Sequence, residues 1–157
     1  MPNDLITLSI CIPTFNRSRY LNTLLQDISE NFKIFPFQYE IIISSNASTD
    51  DTDEVVHNWL NKLPIVYIKQ ETNIGSAASL NDAYSHARGT FSIYLADDDF
   101  LEVPPLIEAL INFLGVRRQG FWHQWGLKLR ESLAHLVDCI MRRVVCDASA
   151  AFRVYSV

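Results

Sequence analysis

The sequence predicts an α/β fold in which a mostly parallel sheet carries helices on both faces. Short runs of β-branched and apolar residues alternate along the chain with segments whose apolar residues recur at helical spacing. In the run over 39–44 both faces are apolar, as in a strand that is buried in a parallel sheet. Polar or turn-forming residues follow each run. Alternating strand and helix units of this kind favour parallel pairing with helices above and below.

The first four elements are predicted as follows. A strand covers 5–13, and a second strand covers 39–44. Between them, apolar residues at helical spacing from Leu21 to Phe32 predict a helix. Turn residues then lead into a predicted helix over about 51–61, whose first turn holds the threonine and acids that helix N-termini favour.

The alternation continues through the second half of this region. A third strand covers 65–69 and a fourth covers 91–96, which we expect to be central in the sheet. A helix is predicted over 77–87. Another helix over 106–114 follows two prolines, which suit the first turn of a helix.

The chain changes character after Leu114. Residues 1–114 carry 6 lysines and arginines against 15 acids, whereas residues 115–157 carry 7 against 3. A stripe of apolar residues that begins at Leu129 predicts an amphipathic helix in the tail, but no further strand–loop–helix unit is recognisable. We therefore place a domain boundary between Leu114 and Gly115 and predict an atypical helical tail over 115–157.

Composition excludes several classes of protein. The hydrophobic fraction of 48% is normal for a packed globule, and no window approaches the ~18 uninterrupted apolar residues of a membrane span. The acidic body argues against nucleic acid as a partner. The three cysteines lack metal-ligand spacing, and the N-terminus lacks the pattern of a secretory signal. We therefore expect a reducing, cytoplasmic setting.

Four polar segments directly follow the four predicted strands, and they cover 14–17, 45–50, 70–75 and 97–99. The carboxyl ends of parallel strands meet at one edge of a sheet, and ligands of open α/β sheets bind there. The four segments are therefore predicted to form one site.

Three adjacent carboxylates, Asp97, Asp98 and Asp99, end the fourth predicted strand. Mg²⁺ and Mn²⁺ prefer carboxylate oxygens and complete their coordination with water and phosphate. In an extended stretch Asp97 and Asp99 point the same way, so these two are the predicted metal ligands. The alternative is a solvated turn that caps the next helix.

Four segments, in this order, resemble the N-terminal half of family-2 glycosyltransferases with the GT-A fold: "SICIPTFNRSRYL", "EIIISSNASTDDT", "NIGSAASLNDAYSHARGTF" and "YLADDDFL". The resemblance covers about 6–114 and is greatest to enzymes of bacterial O-antigen assembly of the abequosyltransferase-like group. It implies an incomplete, Rossmann-like GT-A sheet. It also implies the transfer of a sugar, with inversion, from a nucleotide-diphospho-sugar to a glycan or lipid-linked acceptor.

The resemblance also implies site residues. Asp97, Asp98 and Asp99 match the D-x-D region, which binds Mg²⁺ or Mn²⁺ together with the ribose and diphosphate of the donor. On this resemblance, Asp97 and Asp99 are the implied metal ligands, and Asp97 and Asp98 are implied to contact the donor. The other implied donor-binding residues lie in the remaining polar loops: Pro13, Thr14, Phe15, Asn16, Arg17, Ser45, Asn46, Ser48, Asp50, Asn73 and Gly75.

Three positions depart from the family pattern. Ser45 stands where members usually carry an aspartate that contacts the base or ribose, so a charged acceptor is lost. Ala47 replaces a common glycine, which is a mild change unless its φ is positive. Leu80 stands where many members carry arginine. We expect these changes to weaken donor binding or to alter the nucleotide preference.

The catalytic base of the family lies in its second half, for which the tail has no matching segment, so the catalytic residue stays unassigned. The change in composition suits truncation or a change of reading frame after about Leu114. Two hypotheses follow: a metal-dependent glycosyltransferase of surface polysaccharide assembly, or a nucleotide-binding remnant without an acceptor half. The tail's Trp122, Trp125 and arginines would suit peripheral contact with the inner face of the plasma membrane, or a surface for a protein partner.

Overall fold

The computed structural model describes residues 5–114 of the 157-residue chain. In this part of the chain, strands and helices alternate from beginning to end, and a single 3₁₀ turn, Phe32–Ile34, follows the first helix. The strands are β1 (Leu8–Thr14), β2 (Tyr39–Ser45), β3 (Ile65–Lys69) and β4 (Phe91–Tyr94), and the helices are α1 (Ser18–Asn31), α2 (Thr52–Trp59), α3 (Ser76–Ser85) and α4 (Val103–Phe113).

The four strands form one parallel sheet in the order β3-β2-β1-β4. Leu8 pairs with Tyr39 on one side and with Phe91 on the other. Since all four strands run the same way, their carboxyl ends lie along one edge. The predicted α/β architecture is thus confirmed. The expectation that β4 is central is wrong for the described sheet, because β4 pairs with β1 alone and forms an edge of it.

Two helices cover one face of the sheet. Phe32, which follows α1, packs its ring 4.9 Å from that of Tyr39, on the same face as Ile41. The hydroxyl of Tyr67, which lies on the same face as Ile41, donates a hydrogen bond to the carboxylate of Asp53 in α2. Helix α1 buries its apolar stripe almost completely: Leu21, Leu24, Leu25 and Ile28.

Helix α3 covers the opposite face. Ala83 packs against Cys11 and Ile42, which alternate with the residues of the first face. Partly buried residues from β3 and from α3 and the turn after it surround this cluster: Val66, Ile68, Leu80, Tyr84 and Ala87. Helices on both faces explain why the middle of β1 and of β2 is apolar on both sides.

Cys11 lies within β1, with a free and fully buried thiol. Burial, with a smaller contribution from the charge of Glu40, raises the pKa of this thiol to about 12. The thiol therefore stays protonated at neutral pH, and Cys11 acts as a small apolar residue.

The described residues divide after Leu101 into two units. The first holds the sheet with α1, α2 and α3, and the second holds α4, whose first turn contains both prolines. Among residues 5–114, no helix is both long and apolar enough to traverse a bilayer. Three expectations concern residues outside the described range and stay predictions. They are the boundary after Leu114, the helical tail over 115–157, and the membrane or partner surface of that tail.

Candidate functional site

The polar segments after the strands come together at the carboxyl edge of the sheet. The amide of Asn46 donates to the carbonyl of Thr14 at 2.9 Å, and the amide of Gln70 donates to the carbonyl of Ser45 at 2.9 Å. These bonds lie where β1, β2 and β3 end, so the loops that follow leave the sheet side by side.

Asn16 joins the loop after β1 to the loop after β2. Its amide N–H donates to Ser48 Oγ at 3.1 Å, and its side-chain Oδ1 accepts from the amide of Thr49 at 2.7 Å. Asn16 has a φ of 53°, a left-handed conformation that asparagine tolerates better than most residues. Through these two hydrogen bonds Asn16 holds the loop after β1 against the loop after β2.

Asp50 links the start of α1 to the start of α2. Its Oδ2 accepts from the amide of Ser18 at 2.9 Å, and its Oδ1 accepts from the amide of Thr52 at 3.2 Å. Partial burial would raise the pKa of Asp50, but these hydrogen bonds outweigh it and hold the pKa below its ordinary value. The carboxylate thus compensates the free N–H groups of two helix N-termini. Its implied contact with the donor stays a prediction.

A pair of asparagines joins the loop after β2 to the loop after β3. Asn46 Nδ2 donates to Asn73 Oδ1 at 3.0 Å, and Asn46 Oδ1 accepts from the amide of Ile74 at 2.8 Å. The amide of Gly75 also donates to Asn73 Oδ1, at 2.9 Å. Gly75, the residue directly before α3, has a φ of 87°, which is accessible to glycine at little cost.

Three further residues of the implied donor site contribute differently. Pro13 is half-buried within β1, and Phe15 follows the strand with 43% of its surface exposed, so its ring is available for stacking on a base. Ser45 is fully buried at the end of β2. Its hydroxyl therefore lies beneath the surface of this edge.

The aspartate triplet does not continue β4. The strand ends at Tyr94, and the chain turns at Asp97 and Asp98, with the amide of Asp99 donating to the carbonyl of Ala96 at 3.1 Å. The expectation of an extended stretch is therefore wrong. In this turn Asp97 and Asp98 share the partner Arg17, and the assignment of Asp97 and Asp99 as metal ligands stays a prediction.

Asp97 is buried and bonded through both carboxylate oxygens. Thr14 Oγ1 donates to Oδ2 at 2.7 Å, and Arg17 Nη1 donates to Oδ1 at 2.8 Å. The same Nη1 lies 3.0 Å from Oδ2 of Asp98. The sequence predicts a place for Arg17 in this loop but not its ion pairs with Asp97 and Asp98. One feature of the sequence could have indicated these ion pairs: Arg17 is one of only six lysines and arginines in residues 1–114, which carry 15 acids.

Asp99 differs from its two neighbours because its exposed carboxylate makes no hydrogen bond or ion pair within the described residues. No group of three or more His, Cys, Asp or Glu side chains is arranged to hold a metal in that part of the chain. Mg²⁺, however, needs only one or two protein carboxylates when phosphate and water complete its shell. Asp99 and the second oxygen of Asp98 fit that requirement.

The negative charges of the triplet also affect the pKa of Tyr94, the last residue of β4. Burial raises the pKa of Tyr94, and the charges of Asp99, Asp97 and Asp98 raise it further, with partial relief from Arg17. This end of the sheet is therefore negative despite the arginine. An anionic ligand would need an additional cation to bind beside the triplet.

Ala47 has a φ of 60°, so an alanine at this position carries a conformational cost. A left-handed conformation costs an L-residue roughly 1–2 kcal/mol, and part of this is offset by the lower chain entropy of alanine. We expect Ala47→Gly to raise the free energy of unfolding by about 0.5–1 kcal/mol, measured by urea denaturation. Ala78→Gly, on the exposed side of α3, is the matched control and should lower it by about 1 kcal/mol. Equal effects at both positions would contradict the assigned strain.

Comparisons with known proteins are consistent with this geometry. The sequence model of the family described as "Glycosyl transferase family 2" matches residues 9–132. The abequosyltransferase RfbV of Salmonella typhimurium is 40% identical over 96 residues, which are 60% of this chain and 28% of that protein. The GalNAc(5)-diNAcBac-PP-undecaprenol beta-1,3-glucosyltransferase of Campylobacter jejuni is 32% identical over 132 residues, 82% of this chain and 40% of that protein.

A solved structure of a glycosyltransferase is also similar to this chain. TarS 1-349 of Staphylococcus aureus, in complex with UDP-GlcNAc, aligns with a TM-score of 0.61 and 27% identity over 69% of this chain and 32% of that one. The chain thus spans less than half the length of each of these relatives. The likeness to TarS confirms the predicted GT-A fold. The chain belongs to glycosyl transferase family 2.

Proposed function

We propose that residues 5–114 bind the nucleotide-diphospho-sugar donor of an inverting glycosyltransferase, which transfers the sugar to a glycan or lipid-linked acceptor in bacterial surface polysaccharide assembly of the O-antigen type. The names of the relatives support this reading. RfbV is an abequosyltransferase, and the Campylobacter relative is a glucosyltransferase named for an undecaprenol-linked acceptor. TarS is a poly(ribitol-phosphate) N-acetylglucosaminyltransferase solved with UDP-GlcNAc.

One observation carries the proposal: three polar loops bonded to one another meet three carboxylates at the carboxyl edge of a parallel sheet. Ligands of open α/β sheets bind at this edge. The amide side chains hold the loops, Phe15 offers an exposed ring for a base, and the triplet lies where a diphosphate would need a cation. A nucleotide diphosphate matches these three features together.

The residues present fit a divalent cation. When bound, Mg²⁺ or Mn²⁺ would supply positive charge that offsets the repulsion between the carboxylates and the diphosphate and that stabilises the leaving diphosphate. Asp99 and Asp98 would hold it, with Asp97 as a further ligand. Thr14 keeps the Asp97 carboxylate oriented through its hydroxyl, and the asparagine bonds keep the loops in place.

We place this activity in the cytoplasm at the inner face of the plasma membrane. The support is chemical: a lipid-linked acceptor such as the one in the name of the Campylobacter relative is held in a bilayer, whereas nucleotide sugars are soluble. The second hypothesis, nucleotide binding without transfer, makes the same prediction for binding and the opposite one for turnover.

Calorimetry of the full chain with UDP, CDP and dTDP, each with Mn²⁺ and with EDTA, tests the first step. We expect at least one nucleotide to bind and to require the metal. Hydrolysis of, or transfer from, the matching sugar nucleotide would favour the enzyme, whereas binding without turnover would favour the nucleotide-binding alternative. If none of the three nucleotides binds in a metal-dependent way, both hypotheses are rejected.

A further inference from the structure

Arg17 is the counter-ion of the aspartate triplet. A single nitrogen, Nη1, lies 2.8 Å from Asp97 and 3.0 Å from Asp98. The guanidinium also lies 5.0 Å from the ring centre of Tyr20, a cation–π contact that helps to fix it. These carboxylates raise the pKa of Arg17 further above its ordinary value. Its positive charge is therefore permanent.

The two members of the pair differ in freedom to move. The side chain of Asp97 is 5% exposed and is also bonded by Thr14, whereas the side chain of Arg17 is 43% exposed. A buried carboxylate requires a compensating charge or hydrogen bonds. A long, half-exposed side chain, in contrast, can leave by rotation about its own bonds. If the pair opens, Arg17 is the residue that moves.

We propose that Arg17 is a built-in competitor of the divalent cation: it neutralises Asp97 and Asp98 in the metal-free chain, and it must release a carboxylate before the metal is bound fully. This inference rests on the proposed function, because it concerns the same site. A guanidinium and a divalent cation at the same oxygens would repel each other at a distance of a few ångströms. Arg17 thus sets the metal affinity without being a metal ligand.

The test is titration of the full chain with Mn²⁺ alone, followed by the electron paramagnetic resonance of free Mn²⁺. We expect Arg17→Gln to bind Mn²⁺ about tenfold more tightly than the wild type, because a repulsive charge is removed. Arg17→Lys keeps the positive charge but loses the planar guanidinium over Tyr20, so its Mn²⁺ affinity should lie between those of the wild type and of Arg17→Gln. Arg19→Gln is the matched control, since Arg19 is exposed and makes no ion pair within residues 5–114.

A second readout separates competition from a structural role. Without metal, Arg17→Gln should unfold at a lower temperature than the wild type, because Asp97 loses its compensating charge. Added Mn²⁺ should then raise its unfolding temperature more than it raises that of the wild type. A merely structural role would lower both the stability and the metal affinity. Opposite changes are expected only if Arg17 competes with the metal.

The wild type provides a measurement that does not depend on any variant folding. Millimolar Mg²⁺ should release the guanidinium of Arg17, so that its side-chain NMR signals change from slow to fast rotation. Unchanged Arg17 signals, equal or weaker Mn²⁺ binding by Arg17→Gln, or the absence of Mn²⁺ binding by both chains would each overturn the inference. Metal-dependent nucleotide binding by the wild type, measured separately, would leave the proposed function standing in all three cases, because phosphate completes the shell of the metal.

Discussion

Replacement of Asp99 by alanine is expected to abolish the Mn²⁺-dependent binding of UDP, or of CDP or dTDP if the wild type binds one of these instead, and to leave the fold intact. Asp99 is the exposed member of the triplet whose carboxylate has no partner within residues 5–114, and hard divalent cations depend on such oxygens. We expect a loss of at least about 100-fold in affinity, or about 2.7 kcal/mol. Because no bond inside the protein is lost, the free energy of unfolding should change by less than about 0.5 kcal/mol.

Calorimetry with UDP and Mn²⁺, together with urea denaturation, checks both halves of this prediction. Asp27→Ala is the matched control: it removes an acid of the same type from α1, where the carboxylate accepts from Asn31, and it should leave UDP binding unchanged. Asp97→Ala should instead lower binding and stability together, since Asp97 is buried and bonded by Thr14 and Arg17. An unaltered UDP affinity in Asp99→Ala would remove Asp99 from the site.

The order of strands and helices could be predicted from the sequence because each element carries its own local signal. Apolar runs, helical spacing and turn residues lie within a few positions of one another. The end of β4 could not be predicted in this way, since Leu95 and Ala96 are as apolar as the residues before them. The end of β4 depends on its pairing with β1, whose last pair with this strand is Cys11–Tyr94. The place of β4 in the sheet likewise depends on pairing between residues distant in sequence.

The location of the site was predictable for a similar reason, because strand ends can be read from the sequence and parallel strands share an edge. Its individual contacts were not. Thr14 and Arg17 reach Asp97 across 83 and 80 positions of the chain, and no local pattern encodes such pairs. The turn at Asp97 and the positive φ of Ala47 also depend on how the loops meet. The assumption of an extended stretch over the triplet was therefore wrong, whereas the metal ligands assigned from it, Asp97 and Asp99, stay a prediction.

The other large effect is expected at Glu40, towards the amino end of the sheet. This carboxylate is 2% exposed. Its Oε1 accepts from Ser9 Oγ and from the amide of Arg88, both at 2.7 Å, and its Oε2 accepts from the Arg88 guanidinium at 2.7 and 3.0 Å. Ser9 Oγ in turn accepts from the amide of Gly89 at 2.8 Å. Glu40 therefore connects β2 and β1 to the segment that leads into β4.

Glu40→Ala is expected to lower the free energy of unfolding by about 3 kcal/mol at neutral pH. The substitution leaves the buried hydroxyl of Ser9 and the amide of Arg88 without their acceptor, and an unsatisfied buried donor costs about 1–3 kcal/mol. Nothing at the carboxyl edge is touched, so UDP binding by the folded fraction should be unchanged.

The same network predicts a dependence on pH. Burial alone would raise the pKa of Glu40, but the hydrogen bonds from Arg88 and Ser9 and the charge of Arg88 outweigh it and lower the pKa below its ordinary value of 4.5. A carboxyl whose pKa is lower in the folded state stabilises the fold above its unfolded pKa. That stabilisation is lost as the pH falls through the folded pKa. Below about pH 4.5, Glu40→Gln should therefore lose less stability than the wild type.

Urea denaturation at neutral pH and over a series from about pH 5 down to about pH 3 measures both effects. Glu54→Ala is the control, because Glu54 is an exposed acid on α2 without a hydrogen bond or ion pair among residues 5–114, and it should change the unfolding free energy by less than about 0.5 kcal/mol. If Glu40→Ala cost no more than that control, the donors would be reaching water once the carboxylate is gone. Glu40 would then not be the buried link between the strands.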